Sequence, residues 1–180
     1  MKLLIASDVH GSYTYCSKLF DAAKREEADK ILLLGDLLYH GPRNDLPDGY
    51  APKEVISLLN ANKEKIFAVR GNCDTEVDQM VLEFPILADY CILTCGERII
   101  YATHGHHYNP ENPPKLNNGD ILLNGHTHVT AYEEREGYYY FNPGSVSIPK
   151  NGTQRGYMIM EENKFTWRTL DGDEIKSVFL

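Results

Sequence analysis

The sequence predicts an α/β (α+β) chain in which two sheets pack face to face with helices outside. Two observations carry that expectation. Through the first half, short apolar runs alternate with stretches of helical periodicity, the pattern of parallel strand-helix-strand units. From Tyr90 onward, strand patterns follow one another across tight turns with no long helix between them, which reads as mainly antiparallel pairing. A third observation joins the halves: five apolar runs each release an Asp, Asn or His two or three residues beyond the last apolar side chain.

Lys2 to Ala6 is the first strand, and Asp8 and His10 follow it two residues apart, on one side of an extended end. Ser12 is placed to cap a helix whose apolar positions Tyr15, Cys16, Leu19, Phe20 and Ala23 recur at helical spacing. The charged run from Lys24 to Lys30 reads as a solvated helix end. Ile31 to Leu34 is the next strand and releases Asp36. The connection from Leu37 to Tyr50 is long, with Pro42, Pro47 and Gly49, and hangs from the same rim, which favours a functional loop. Pro52 suits the first turn of a second helix with Val55, Ile56 and Leu59 on its buried face.

Ile66 to Val69 is a third strand and releases Asn72. A short third helix starts near Thr75, with Asp78 as capping-box partner and Val77, Met80 and Val81 expected to face inward; Phe84-Pro85 stops it. Tyr90 to Leu93 and Glu97 to Thr103 pair across Cys95-Gly96, and His104 follows. Ile121 to Leu123 releases His126 and His128. Ala131 to Arg135 and Tyr138 to Phe141 form a hairpin at Glu136-Gly137, and Tyr157 to Met160, Phe165 to Leu170 and Ile175 to Phe179 continue the strand series. No repeat, low-complexity tract or linker divides the chain, so residues 1–180 read as one domain.

Ligands bind at the strand ends of open α/β sheets, so Asp8, His10, Asp36, Asn72, His104, His126 and His128 describe one rim with metal-competent side chains. Two divalent ions held ~4 Å apart need a shared carboxylate to screen their repulsion, and Asp36 suits that role. Oxygen and imidazole donors without thiolate suit Mn²⁺, Fe²⁺, Zn²⁺ or Ni²⁺ better than Ca²⁺ or Mg²⁺. The chemistry such a pair favours is displacement at phosphorus, with a water between the ions losing its proton near neutral pH.

Composition sets the remaining bounds. Eighteen Lys and Arg against 26 Asp and Glu give a formal charge of −8, which repels a nucleic acid backbone, and no basic patch overrides it. No apolar run approaches membrane-spanning length, and the chain reads as soluble and cytoplasmic. Cys16, Cys73, Cys91 and Cys95 lack zinc-site spacing and read as free thiols.

The motifs Asp8-Val9-His10, Gly35-Asp36, Gly71-Asn72, His104-Gly105-His106 and Gly125-His126-Thr127-His128 together resemble the ordered motif set of the calcineurin-like metallophosphoesterases. Gly41-Pro42-Arg43-Asn44, Gly71-Asn72-Cys73-Asp74 and Asn142-Pro143-Gly144-Ser145-Val146 extend the resemblance to the small bacterial phosphodiesterase branch of the YfcE type. That resemblance implies a four-layer αββα sandwich of two mixed sheets. It also implies one metal site from Asp8, His10, Asp36 and His128, a second from Asp36, Asn72, His104 and His126, and Asp36, Asn72 and His104 at the centre of catalysis. Two divalent transition metal ions are expected, manganese first and nickel, zinc or iron as alternatives, with a small phosphodiester as substrate.

One departure stands out. Many members carry a histidine directly after the Asn ligand, and here that residue is Cys73, a poorer proton donor. Phosphodiesters with good leaving groups are therefore expected to be preferred over monoesters, with His40, His106 or His107 as substitute donors. Arg43 is the only positive residue of the long rim loop; it grips phosphate oxygens or pairs with Asp45 or Asp48 at the surface. Two rivals are weighed against the enzyme: a protein-binding scaffold of the retromer-subunit type, whose ligand set is degraded where this one is intact, and a nuclease, which the acidic charge opposes. The tyrosine-rich later strands leave room for a homo-oligomer.

Overall fold

The computed structural model describes residues 1–180. The first three strands, β1 (Lys2–Ala6), β2 (Lys30–Leu33) and β3 (Ile66–Ala68), are parallel and are linked by helices α1 (Tyr13–Arg25) and α2 (Pro52–Ala61). A short helix α3 (Glu76–Val81) leads into β4 (Tyr90–Cys95), β5 (Arg98–Thr103) and β6 (Asp120–Leu123). The chain continues through β7 (Thr130–Arg135), β8 (Tyr138–Pro143), β9 (Gly156–Glu161), β10 (Lys164–Thr169) and β11 (Glu174–Phe179). One sheet has the order β11-β10-β9-β1-β2-β3 and the other β4-β5-β6-β8-β7. No helix is long and apolar enough to cross a membrane.

Strand β1 shows why the sandwich holds. It is apolar on both faces because both are covered. Leu3 and Ile5 join Leu32, Leu34, Ile100, Ile121, Phe141 and Trp167 between the sheets, whereas Leu4 and Ala6 join Leu19, Phe20, Val55 and Leu59 under α1 and α2. Each such Leu or Ile contributes roughly 1.5–3 kcal/mol by leaving water. Trp167 is fully buried and donates its indole N–H to the Asn142 carbonyl at 2.8 Å, so its polar tip is satisfied. Helices α1 and α2 form one outer layer; on the far side the connection from 104 to 119 carries no helix, and Tyr108 from it packs edge-on against Tyr101 of β5.

The capping expectations hold: the Ser12 hydroxyl accepts from Tyr15 N, Thr75 and Asp78 form a reciprocal capping box, and Pro52 opens α2. Three details differ from the sequence reading. Strands β9, β10 and β11 leave the later half and join β1, because β1 still has a free edge after pairing with β2. The second sheet is mixed, as the resemblance implies, with β6 parallel to both β5 and β8. The charged end of α1 is docked, since Arg25 donates to Tyr157 Oη and the Leu170 carbonyl while Tyr157 Oη donates to Glu26.

The third difference concerns α3. Val77, Met80 and Val81 face outward, at 69%, 84% and 44% exposure. What turns the helix is Gln79: its amide donates to the Leu82 and Phe84 carbonyls and accepts from Ile86 N, so a polar residue anchors the inner face. Leu82, Phe84 and Ile86, beyond the helix, fill the core instead.

Candidate metal centre

The carboxyl ends of β1, β2, β5 and β6, with the loop after β3, converge on one cleft. Backbone geometry already marks it. Asp8, His10, Asp36, His126 and His128 all have φ between +49° and +66°, a region that costs an L-residue roughly 1–3 kcal/mol. Only three other non-glycine residues of the chain, Glu27, Asn151 and Glu162, share that conformation. Such strain persists only where the surroundings over-determine it.

The surroundings do so through hydrogen bonds to the backbone. Asp8 N donates to the Gly35 carbonyl and His10 N to the Asp36 carbonyl, locking the first two rim loops together. The hydroxyls of Ser145 and Ser147 both donate to the Asp8 carbonyl, at 2.8 and 3.0 Å. Asn142 donates to the Gly125 carbonyl and Thr127 Oγ1, fixing the turn that carries His126 and His128. Asp74, fully buried, accepts from Asp36 N at 2.8 Å, Leu37 N at 2.9 Å and Gly71 N at 2.8 Å, stapling the second rim loop to the third. The loops touch so closely that a Cβ at Gly71 would fall 2.1 Å from Asp36 Oδ1, and one at Gly125 only 1.9 Å from Ser7 Oγ. These positions admit only glycine.

The side chains are oriented as firmly. His10 Nδ1 lies 2.7 Å from the Tyr39 carbonyl, His104 Nδ1 2.6 Å from the Leu34 carbonyl, and His128 Nδ1 2.7 Å from the Ile148 carbonyl. A carbonyl only accepts, so each Nδ1 carries the proton and each neutral ring turns an Nε2 lone pair into the cleft. The carboxylates are polarised alike. Asp8 Oδ2 accepts from His126 N and Asp36 Oδ1 from Cys73 N, which leaves Asp8 Oδ1 and Asp36 Oδ2 facing the imidazoles.

The facing atoms are nearly all acceptors. His10 Nε2 and His128 Nε2 stand 3.1 Å apart, His104 Nε2 lies 3.0 Å from Asn72 Oδ1 and 3.2 Å from His126 Nδ1, and buried Asp8 Oδ1 has no hydrogen-bond partner. Donor atoms of Asp8, His10 and His128 lie within 4.8 Å of one another, as do those of Asp8, Asp36 and His104. Lone pairs gathered out of water at these distances repel unless a cation or protons lie between them. The set therefore fits divalent cations of the kind nitrogen and oxygen donors prefer.

Without a cation, protons answer the same demand. Burial opposes charge on His104, but its bond to Asp36 and the charges of Asp8 and Asp36 prevail and raise it to about 9. His10 moves up against burial for the same reason. Burial would raise Asp8, yet the imidazoles of His10 and His128, 3.6 and 3.3 Å from its Oδ1, hold it well below the carboxylate range.

The cleft brings together all seven rim residues expected from the sequence. It is also lined by Gly41, Pro42, Arg43, Asn44, Cys73 and Lys150. Arg43 is exposed and makes no ion pair with Asp45 or Asp48. Cys73 Sγ sits at the ligands: it shares a 4.8 Å cluster with donor atoms of His10 and Asp36. His106 packs its ring 5.4 Å from that of His104, whereas His107 stacks behind it. His40 lies outside the cleft lining, wedged edge-on between Tyr39 and Tyr50. Sequence reasoning missed Asp74, Asn142, Ser145, Ser147 and Lys150. For Asp74 a signal existed: an Asp two residues past a rim Asn, beside amides that turns leave unpaired.

Comparison with known proteins agrees with the geometry. Residues 1–164 match the family model described as the calcineurin-like phosphoesterase superfamily domain. The chain is 45% identical over 175 residues to phosphodiesterase YfcE of Escherichia coli, covering 97% of this chain and 95% of that protein. The solved structure of that phosphoesterase superposes with a TM-score of 0.95 over 99% of both chains. Vacuolar protein sorting 29 from Cryptosporidium parvum, at 18% identity and a TM-score of 0.64, shares the fold. This chain belongs to the calcineurin-like phosphoesterase superfamily.

Proposed function

We propose that the chain is a metal-dependent phosphodiesterase for small phosphodiesters, working through two divalent cations with manganese as the first expectation. The observation that carries this reading is the convergence of acceptor atoms from Asp8, His10, Asp36, Asn72, His104, His126 and His128 on one strained rim. His10, His128, Asp8 and Asp36 would hold one ion; Asp36, Asn72, His104 and His126 would hold the other. Bound divalent cations supply Lewis acidity for phosphoryl oxygens and lower the pKa of a coordinated water.

The chain's own residues then decide what is accepted. Arg43 and Lys150 bring positive charge to the cleft mouth, suited to an anionic phosphate. In the metal-free protein, burial, and next the charge of Asp36, push the Cys73 thiol up to about 12. Burial and the neighbouring His104, His107 and His126 push His106 down to about 4, so at neutral pH it holds no spare proton for a leaving group. With no strong acid at the leaving oxygen, diesters whose leaving groups depart unassisted are favoured over monoesters.

The reading takes residues 1–180 as one working domain in the cytoplasm, with no nucleic acid polymer or membrane as partner. The outward face where Tyr90 stacks on Tyr101 is the place for contact between copies. The test is metal-free protein assayed on bis-p-nitrophenyl phosphate with Mn²⁺, Ni²⁺, Zn²⁺ or Fe²⁺ restored one at a time, with metal content measured in parallel. Hydrolysis that tracks two bound ions per chain is expected; none with any ion returns the chain to the scaffold reading. Replacing Arg43→Ala should raise KM, and an unchanged kcat/KM would move Arg43 to an idle surface role.

A further inference from the structure

Beside the metal cleft the surface opens into a second depression of about 480 Å³. Three elements build it: Leu38 and Tyr39 from the loop after β2, Tyr50 and Ile56 from the entry and body of α2, and Val77 and Val81 from α3. Single exposed apolar residues are ordinary. Here they come from three separate elements and face one groove, where Tyr39 is 43% exposed. Charged groups are confined to Lys53 and Asp78, and hydroxyls to Thr75 and the tips of the two tyrosines.

The groove adjoins the metal cleft. Cys73 lines both, and the loop that carries Tyr39 closes over its thiol, with the Cβ position of Gly41 3.2 Å from Sγ. The Tyr39 carbonyl that orients His10 belongs to the same wall. A phosphorus seated at the rim therefore has an apolar trough one side chain away.

We propose that this groove receives an apolar ester arm of the substrate, so that the enzyme selects phosphodiesters with one hydrophobic substituent; the inference rests on the phosphodiesterase reading of the metal cleft. Adjacency to the cleft favours a substrate arm over a separate protein partner, because the shared Cys73 wall places phosphate and arm in one molecule's reach. It also gives the outward apolar stripe of α3 a use that the core does not.

The test uses the metal-loaded full chain and two ligands without a good leaving group, the methyl and octyl monoesters of methylphosphonic acid, titrated by calorimetry. Each buried methylene is worth roughly fourfold in affinity, so even a half-open groove should bind the octyl ester at least about tenfold more tightly. Val81→Asp should cut that advantage to about threefold or less, and Val81→Leu should keep it; both changes sit on an exposed surface. Equal affinity of the parent for the two esters overturns the proposal, as does an octyl preference that Val81→Asp leaves intact. A dimer that Val81→Asp dissolves, with no octyl preference, assigns the groove to a second copy and overturns it too.

Turnover separates the two readings. Hydrolysis of methyl p-nitrophenyl phosphate with no gain for the octyl diester sinks the groove and spares the diesterase. A preserved octyl preference in binding, with neither diester hydrolysed, supports the groove and removes the diesterase.

Discussion

The two ends of the second sheet both carry polar clefts, and they differ in what their polar atoms do. At the start of β5, β6 and β8, Glu97, Arg98, Asn117, Asp120, Glu134 and Arg135 line a depression of about 530 Å³. Its buried carboxylate is satisfied: Asp120 Oδ1 accepts from Ile99 N, and Oδ2 from the backbone and side-chain amides of Asn117. Arg135 pairs with Glu133, and positive φ there is confined to Gly119 and Gly137. At the other end, His104 and His126 meet Asp8 and Asp36 with acceptors facing acceptors on strained non-glycine backbone. The rim cleft is much the smaller, at about 40 Å³, so what marks it is not volume but facing acceptors held by strain. A carboxylate satisfied by its neighbours stabilises a fold, whereas facing acceptors that need an outside cation make a site.

The sharpest way to break that contrast is to neutralise one carboxylate at each end. Asp36→Asn keeps shape but halves the charge shared between the two donor groups, and should cut kcat/KM by at least about 100-fold and lower bound metal per chain. Asp120→Asn should instead cost about 1–3 kcal/mol of stability, since an amide NH₂ turned toward three donors leaves one unsatisfied, with turnover within about twofold of the parent. Denaturant melts, metal analysis and kinetics on the two variants together decide it. Matching losses of activity would dissolve the distinction.

Asp74 comes next in size because it works through Asp36 without facing the cleft. Its three backbone partners make it a positioning residue, and Asp74→Asn replaces one acceptor oxygen by a donor opposite an N–H. Metal affinity should fall by about 10–100-fold, as with other partners that orient ligands. The informative readout is a split: excess Mn²⁺ should restore kcat, which a merely unfolded variant would not allow.

Much of this site was legible in the sequence because each rim donor follows an apolar run long enough to be a buried strand, and strand ends in such sheets gather in one place. Periodicity showed that Val77, Met80 and Val81 share a face, but a spacing carries no direction, and Gln79 decided it. Sheet membership of β9 to β11 was hidden for a related reason: hairpin turns announce neighbours in sequence, while the antiparallel pairing of β9 with β1 spans the whole chain. The anchors Asn142, Ser145 and Ser147 stand in a motif the sequence displays, yet their role is to hold another loop's backbone. Local patterns do not encode that.

Cys73 tests the cleft's specificity with a smaller effect. Cys73→His returns an imidazole beside Asp36, and monoester turnover should rise several-fold relative to diester turnover, read as the ratio of kcat/KM on p-nitrophenyl phosphate and bis-p-nitrophenyl phosphate. An unchanged ratio would falsify the link between the thiol and leaving-group choice.

The smallest expected effect is on the stability of the metal-free protein. His104 has its folded pKa raised to about 9, above the ordinary value of 6.5, by Asp36 and Asp8 acting against burial, and His10 is raised in the same sense. A folded state that holds a proton more tightly than the unfolded chain gains stability that is complete below about pH 6.5 and is lost as pH rises through about 9. His106, pushed down by burial and its histidine neighbours, works oppositely and takes stability away as pH falls below 6.5. In chelator, the melting temperature should therefore be highest between about pH 6 and 7 and drop by a few degrees toward pH 9.5. Saturating Mn²⁺ should reverse the alkaline slope, because cation and proton compete for the same lone pairs and the cation wins as the proton leaves. A melting temperature in chelator that stays flat or rises from pH 7 to 9.5 would mean that the facing acceptors of the rim are not short of a positive partner.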